Sequence, residues 1–356
     1  MEKHPNFLYK FSMIETFVPP RVIECGGENL REIFKTFGKN CLLIGPEEVY
    51  EKNADIFKSA LAKITVIYPG FSGEASEEEI KRLLRSSTAG KSEFIAAFGG
   101  GKAMDAAKSV SAKTGLPLIA LPTSASTCAS FTSHSVIYAE DGRFLYEEKH
   151  FTTAKVLILV AEILAAEPAR LIASGIADAC AKYYEFTFAN NASSLSPYFD
   201  LSKELIKRYF SYAPFLKTND ERKIMEICRL NIITTGLISA FGGKEFRSSL
   251  AHATANGITQ IFPAHPALRK LLHGELVGLG ILASLFSLRR IDELITLRNF
   301  FESIGLFKEL NSQTIKLEEN DFLAASNYAV KSEPLFEKMN INPEDTARAL
   351  NSLKLF

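Results

Sequence analysis

The chain is short of the residues that mark specialised protein classes. Its five cysteines, Cys25, Cys41, Cys128, Cys180 and Cys228, are odd in number, far apart and without a CxxC pair. That spacing argues against a disulfide framework or a structural zinc knuckle and points to a reducing cytoplasm. Neither charge sign is in excess, with 41 basic and 41 acidic side chains, so no polyelectrolyte footprint for nucleic acid or an anionic membrane exists and a small-molecule partner is expected. The opening "MEKHPNFLYKFSMIETF" has no signal-peptide h-region, and the apolar run "VGLGILASLFSL" is too short to span a bilayer and ends at Arg289 and Arg290; a soluble chain is expected. Internal repeats and low-complexity tracts are absent, and only six histidines occur in 356 residues.

What is present is an alternation of periods. "NCLLIG" (40–45), "ITVIYPG" (64–70), "FIAAFGG" (94–100) and "LPLIALPT" (116–123) are short apolar runs, and the first three precede stretches with helical spacing. Ser76 is placed as an N-cap ahead of three acids. Such strand–helix units need a parallel sheet with right-handed crossovers, a Rossmann-like doubly wound α/β domain. The Asp141-Gly142 pair between two strand-like runs predicts a β-hairpin, and "AKVLILV" is expected to close the sheet. From Glu162 onward the sequence reads as long helices broken at Pro, Gly and Asn. The expectation is an α/β domain over 1–161, an all-α domain over 162–356, and a cleft between them.

At the junction of one strand and helix stands "FGGGKAMDAAKS" (98–109). Glycines there let a ligand approach the backbone, and the first helical turn favours an anion. The string is neither a GxxxxGK phosphate loop nor the GxGxxG fingerprint; on these residues alone, tight helix–sheet packing and a solvated lysine explain it equally well.

The same string resembles the GGGKxxDxAK element of the iron-containing alcohol dehydrogenase and dehydroquinate synthase superfamily. "FSGEAS" (71–76), "PTSAST" (122–127) and "SGIADA" (174–179) narrow the likeness to the glycerol dehydrogenase branch, over nearly the whole chain. The resemblance implies a dehydroquinate synthase-like fold with dinucleotide binding in 1–161 and metal and substrate binding in 162–356, hydride transfer with NAD or NADP, and a homo-oligomer. It places the cofactor pyrophosphate at Gly100, Gly101, Lys102 and Asp105, with further cofactor contacts at Thr123, Ser126, Thr132 and Tyr138. It also implies one divalent metal on Asp178, His252 and His273. On spacing alone the two histidines read better as groups capping or hydrogen-bonded inside helices, and it is the matched motifs that reverse that order. Zinc suits an N2O set with one position open to substrate; iron is the alternative, but the iron branch carries a histidine four residues after the aspartate, where this chain has Lys182. His265 has no counterpart among the family ligands, and His4, His134 and His150 are read as non-ligands.

Two departures from glycerol dehydrogenases move the charge of the substrate side in one direction. Cys128 stands where those enzymes carry a polyol-binding aspartate, and Lys182 adds a cation one helical turn from Asp178. "TCAxxT" with "DxxAKxYE" looks like the hydroxycarboxylate dehydrogenase subgroup, which reduces 2-oxo acids, and Lys182 is the candidate partner of the substrate carboxylate. The alternatives are that Cys128 is a small filler and that Lys182 reaches water or pairs with Glu185. "LLIGPEE" has no acid directly at the strand end to hold an adenosine ribose, which leaves NAD or NADP with a lean to NADP. A polyol dehydrogenase, a lyase of the dehydroquinate synthase type and a metal-free binding relic are the competing functions. The lyase is disfavoured because 128–133 holds no basic residue.

Overall fold

The computed structural model describes residues 17–190, 196–218, 220–243, 246, 249–308 and 317–353. The expectations placed on the first sixteen residues, His4 among them, lie outside that set.

The apolar runs that become inner strands are buried along nearly their full length, as only a sheet covered on both faces allows, whereas the edge strands are largely exposed. In chain order the strands are β1 (Arg21–Cys25), β2 (Asn40–Ile44), β3 (Thr65–Ile67), β4 (Phe94–Gly99), β5 (Leu118–Pro122) and, after a hairpin, β8 (Val156–Val160). They form one parallel sheet in the order β1-β8-β5-β4-β2-β3. On one face α1 (Leu30–Lys35) and α3 (Ala54–Ala60) bring Leu30, Phe34 and Phe57 into a core with Leu43, Phe94 and Phe98, and α2 (Glu47–Lys52) packs Val49 and Tyr50 against it. On the other, α4 (Glu77–Ala89) and α5 (Gly101–Thr114) bring Ile80, Leu83, Met104 and Val110 into a core that continues through the helical half. Ser76 caps α4, its hydroxyl accepting from Glu79 N at 3.2 Å.

Two local expectations are corrected. β8 does not close the sheet: β1 pairs outside it. The "RVIEC" strand is mostly exposed, so it has no buried run to announce it. The helix expected after β2 is split at Asn53 (φ −116°, ψ 26°), whose side chain donates to Val49 O at 2.9 Å, the usual way asparagine competes with the helical backbone.

The hairpin forms as expected, from β6 (His134–Tyr138) and β7 (Phe144–Lys149), with Gly142 at φ +88°. Helices begin directly after β8: α6 (Ala161–Ala165), α7 (Ala169–Asn190), α8 (Pro197–Tyr212), α9 (Glu221–Arg229), α10 (Thr235–Phe241), α11 (Leu250–Thr259), α12 (His273–Ser287), α13 (Ile291–Ser303), then Glu319–Ser332 and Pro343–Ser352. A π-helical turn at Leu230–Thr234 joins α9 and α10. The joined helix, Glu221–Phe241, is long and apolar enough to pass for a membrane span by length and composition, yet Ile224, Ile227, Cys228, Ile232 and Ile238 are packed in the protein core.

The helices that matter most cross at near backbone contact. A Cβ on Gly274 would lie 1.8 Å from Ser174 O on α7, and one on Gly280 would lie 2.2 Å from Ala251 O on α11. Arg170 of α7 grips the wholly buried Glu275 of α12 through two bonds of 2.8 Å. α7, α11 and α12 are thereby locked as a unit, and each carries one candidate ligand.

Candidate active site

A cleft of about 860 Å³ opens where β2, β4 and β5 end and faces α7, α11 and α12. Ligands of open α/β sheets bind at the carboxyl ends of the strands, and all thirteen residues singled out from the sequence line this cleft.

The phosphate-binding candidate is built by β4 running into α5. Gly99 has φ +126°, Gly100 caps α5, and a Cβ on Gly100 would meet nothing within 4 Å, so the backbone there is bare toward the cleft. Gly101 is tighter, since its Cβ would press Thr127 Oγ1 at 2.9 Å. Lys102 Nζ bonds Glu74 Oε1 at 2.7 Å and lies 5.4 Å from the centre of the Tyr138 ring. Arg269, from the helical half, reaches the same Glu74 oxygen at 3.3 Å. An anion at the helix start therefore competes with Glu74 for Lys102. Asp105 lines the cleft, but its oxygens are engaged within the protein. Oδ1 pairs with Lys108 Nζ at 2.8 Å and Oδ2 accepts from Val136 N at 3.1 Å, which ties α5 to the hairpin. Lys108 also donates to the carbonyls of Ala129 and His134. Thr123 N bonds Gly99 O at 3.1 Å and Thr132 Oγ1 bonds Ala129 O at 3.4 Å. Burial pushes the Tyr138 phenol far above its ordinary range, so it stays protonated.

At the other end of the cleft the three candidate ligands meet. Asp178 Oδ1 lies 3.3 Å from His252 Nε2 and 3.7 Å from His273 Nε2, and one ligand atom from each residue falls within 4.8 Å of the others. It is the only such group of His, Cys, Asp and Glu among the described residues; His265 pairs instead with Asp321 at 2.9 Å. His150 bonds Ser135 at 2.8 Å. Burial opposes charge on Asp178, but Lys182, then His252 and His273, hold its carboxyl well below the usual range. Burial lowers His273 to about 4; His252 would follow, but Glu185 and Asp178 raise it to about 9. Glu185 is fully buried, accepts a hydrogen bond from His252 Nδ1 at 3.0 Å, and accepts from the backbone N of Ser249 and His252. Nε2 is thus the atom turned to Asp178. A carboxylate behind a histidine in this way orients it as a metal ligand and raises its basicity. The donor set of one carboxylate and two imidazoles, held by a buried partner, fits a divalent cation.

Lys182 does not pair with Glu185 and does not reach the outer surface. It is 3% exposed, and no carboxylate of the described residues lies within 4.0 Å of its ammonium. Burial works against its charge, but Asp178 outweighs that and raises its pKa, so it remains an ammonium lining the cleft. Cys128 is a buried thiol with its Sγ 3.8 Å from Ser239 Oγ, and burial raises its pKa. Sequence reasoning weighed Glu185 only as a partner for Lys182, although Asp178, Lys182 and Glu185 share one face of α7 at i, i+4 and i+7. Ser239 carries no local signal, because the π turn before α10 brings it to the cleft.

A model of the iron-containing alcohol dehydrogenase family matches residues 20–161. The chain is 31% identical over 309 residues to glycerol dehydrogenase from Thermotoga maritima, covering 82% of each protein. It is 29% identical over 254 residues to hydroxycarboxylate dehydrogenase A from Escherichia coli, covering 66% of this chain and 67% of that one. The crystal structure of a probable glycerol dehydrogenase from Sinorhizobium meliloti shares the fold with a TM-score of 0.80 at 21% identity, over 95% of this chain and 98% of that one. With this extent of likeness joined to the fold, the chain belongs to the iron-containing alcohol dehydrogenase family of oxidoreductases, which act on alcohol groups.

Proposed function

We propose that the protein transfers a hydride between a nicotinamide cofactor and a small 2-oxo acid or its 2-hydroxy acid. One observation carries this reading: the ammonium of Lys182 is buried and charged, lacks a carboxylate partner among the described residues, and lines the cleft a helical turn from Asp178. Asp178 sustains this charge without bonding it, which leaves the ammonium's donors for a substrate carboxylate. With Cys128 a neutral thiol, the described side chain at that position offers no charge to repel the acid.

Asp178, His252 and His273 would hold one divalent cation, zinc by the donor set, whose positive charge would polarise the substrate oxygen. The nicotinamide supplies or takes up the hydride. The chain's own residues do the rest. Gly100 and Gly101 leave room for the pyrophosphate and Lys102 answers its charge, while Thr123, Ser126, Thr132 and Tyr138 line the path toward the metal ligands. Lys182 orients the acid by its carboxylate, and the buried Glu185 keeps His252 in the ligating orientation. At the far end of the cleft Glu47 and Glu48 line the start of α2. Two carboxylates there suit free ribose hydroxyls and oppose a 2′-phosphate, so we infer NAD as the cofactor rather than the NADP toward which the strand end alone leans.

Steady-state rates with 2-oxobutyrate and with glycerol, each with both cofactors, test the reading. Higher kcat/KM for the 2-oxo acid with NADH supports it; a preference for glycerol would return the protein to polyol oxidation.

A further inference from the structure

The loop 123–128, which brings Thr123, Ser126 and Cys128 to the cleft, is clamped at its middle through both backbone polar groups of Ala125. Ala125 N donates to both oxygens of Glu167, each at 3.1 Å. From the other side, Ala125 O accepts from Asn231 Nδ2 at 2.9 Å. Asn231 lies in the π turn, where its Nδ2 also reaches Ile172 O at 3.1 Å and its Oδ1 accepts from Tyr209 at 2.7 Å. α7 presses on the same residue, because a Cβ on Gly175 would lie 2.0 Å from Ala125 O. The Asn231 end is neutral. The Glu167 end is a carboxyl buried between α6 and α7.

We propose that Glu167 is a positioning residue that holds the loop through the backbone N–H of Ala125, and that proton uptake by this carboxyl slackens the loop. The proposal rests on the reading that this loop meets cofactor and substrate. Burial raises Glu167 to about 7, against the bonds from Ala125, Ser124 and Cys228 that favour its ionised form. The ionisable groups of the elements around it are engaged elsewhere. Arg170 of α7 grips Glu275, Arg229 of α9 pairs with Glu24 of β1 at 2.6 Å, and Glu162 of α6 accepts from Gly27 N at 3.3 Å. The Cys228 thiol, 3.5 Å from Glu167 Oε1, is pushed far above its ordinary range by burial and stays protonated. Glu167 is therefore the group of this clamp that titrates near neutrality. Above its midpoint a carboxylate receives the Ala125 amide; below it, one oxygen carries a proton and the amide meets a neutral acid.

The test is hydrogen exchange of the intact protein, read by mass spectrometry on peptides covering 123–128 at pH 6 and pH 8 and corrected for intrinsic exchange. No substrate is needed, so a wrong substrate assignment leaves the result unaffected. Wild type should lose protection roughly fivefold on going to pH 6, the gap between an amide bonded to a charged and to a neutral acceptor. Glu167→Gln, a neutral acceptor of the same shape, should show the low protection at both pH values. Cys228→Ala removes a donor that favours the ionised form and should move the step to higher pH, which keeps the test decisive if Glu167→Gln fails to fold. A wild type without a step, a step retained in Glu167→Gln, or a midpoint unmoved in Cys228→Ala would each overturn the proposal.

Discussion

Replacing Lys182 by methionine isolates the charge on which the substrate reading depends. Methionine keeps most of the buried stem volume, so the loss is of the ammonium rather than of packing. Lys182 is 3% exposed, so its bond to a substrate carboxylate would form out of reach of bulk water. A hydrogen bond between charged groups left unmade costs about 1.5 to 3 kcal/mol, or roughly ten- to 150-fold in kcat/KM. Neutral ketones make no such bond and should lose less than about threefold. The metal ligands should not suffer, because the variant removes a cation from beside Asp178. The assay is kcat/KM for 2-oxobutyrate against hydroxyacetone, with metal content measured on the same samples. Equal losses for the charged and the neutral substrate would refute the assignment, leaving Lys182 a support of the ligand helix. The reverse substitution at the facing wall sharpens the contrast. Cys128→Asp puts a carboxylate where Lys182 already acts on the thiol, so it should pair with the ammonium, depress 2-oxo acid turnover and raise the relative rate with 1,2-propanediol.

Asp178→Ala, His252→Ala and His273→Ala should each abolish turnover and leave cofactor binding intact, whereas Glu185→Gln should weaken divalent-metal affinity by about 10- to 100-fold, as read by chelator competition. Normal metal content and activity in any one ligand variant would remove that residue from the set. Gly100→Val should raise the cofactor dissociation constant without lowering the melting temperature, since its side chain projects into open space; Gly101→Val mixes this effect with the 2.9 Å approach to Thr127. His150 is held neutral, lowered to about 4 by burial and then by Lys108. Its neutral form is therefore favoured in the folded state, the unfolded chain takes up the proton first, and stability is lost as pH falls from the ordinary histidine range to about 4. The loss should be roughly 3 kcal/mol, and denaturant midpoints at neutral and acid pH should show a shallower slope in His150→Gln; identical slopes would refute it.

The strands of the central sheet and the junction at Gly100 and Lys102 were legible in the sequence because burial on both faces demands uninterrupted apolar runs, and a bare helix start demands glycine. Asp178, Lys182 and Glu185 were legible as one helical face for a similar reason, since their spacing is set by the period of α7. The edge strand β1 was not, because half-exposed residues leave no run to read. Nor was the break at Asn53, where the backbone leaves helical dihedrals while its side chain adds a second bond to Val49 O.

Roles decided by partners far along the chain stayed closed to sequence reasoning. Glu185 stands 67 residues from His252, and only the crossing of α7 with α11 turns it from a neighbour of Lys182 into the carboxylate behind a ligand. Asp105 and Lys102, read as cofactor contacts, are first of all bonded to Lys108 and Glu74. Asn231 meets Ala125 across 106 residues, and Glu167 meets it across 42. What the sequence alone determined was local: which segments are buried, where the backbone is bare, and which side chains share a helix face. Which of those side chains keep a charge without a partner, and which are taken up in holding the fold, was decided only in the tertiary structure, because both desolvation and pairing depend on segments that the chain brings together from a distance.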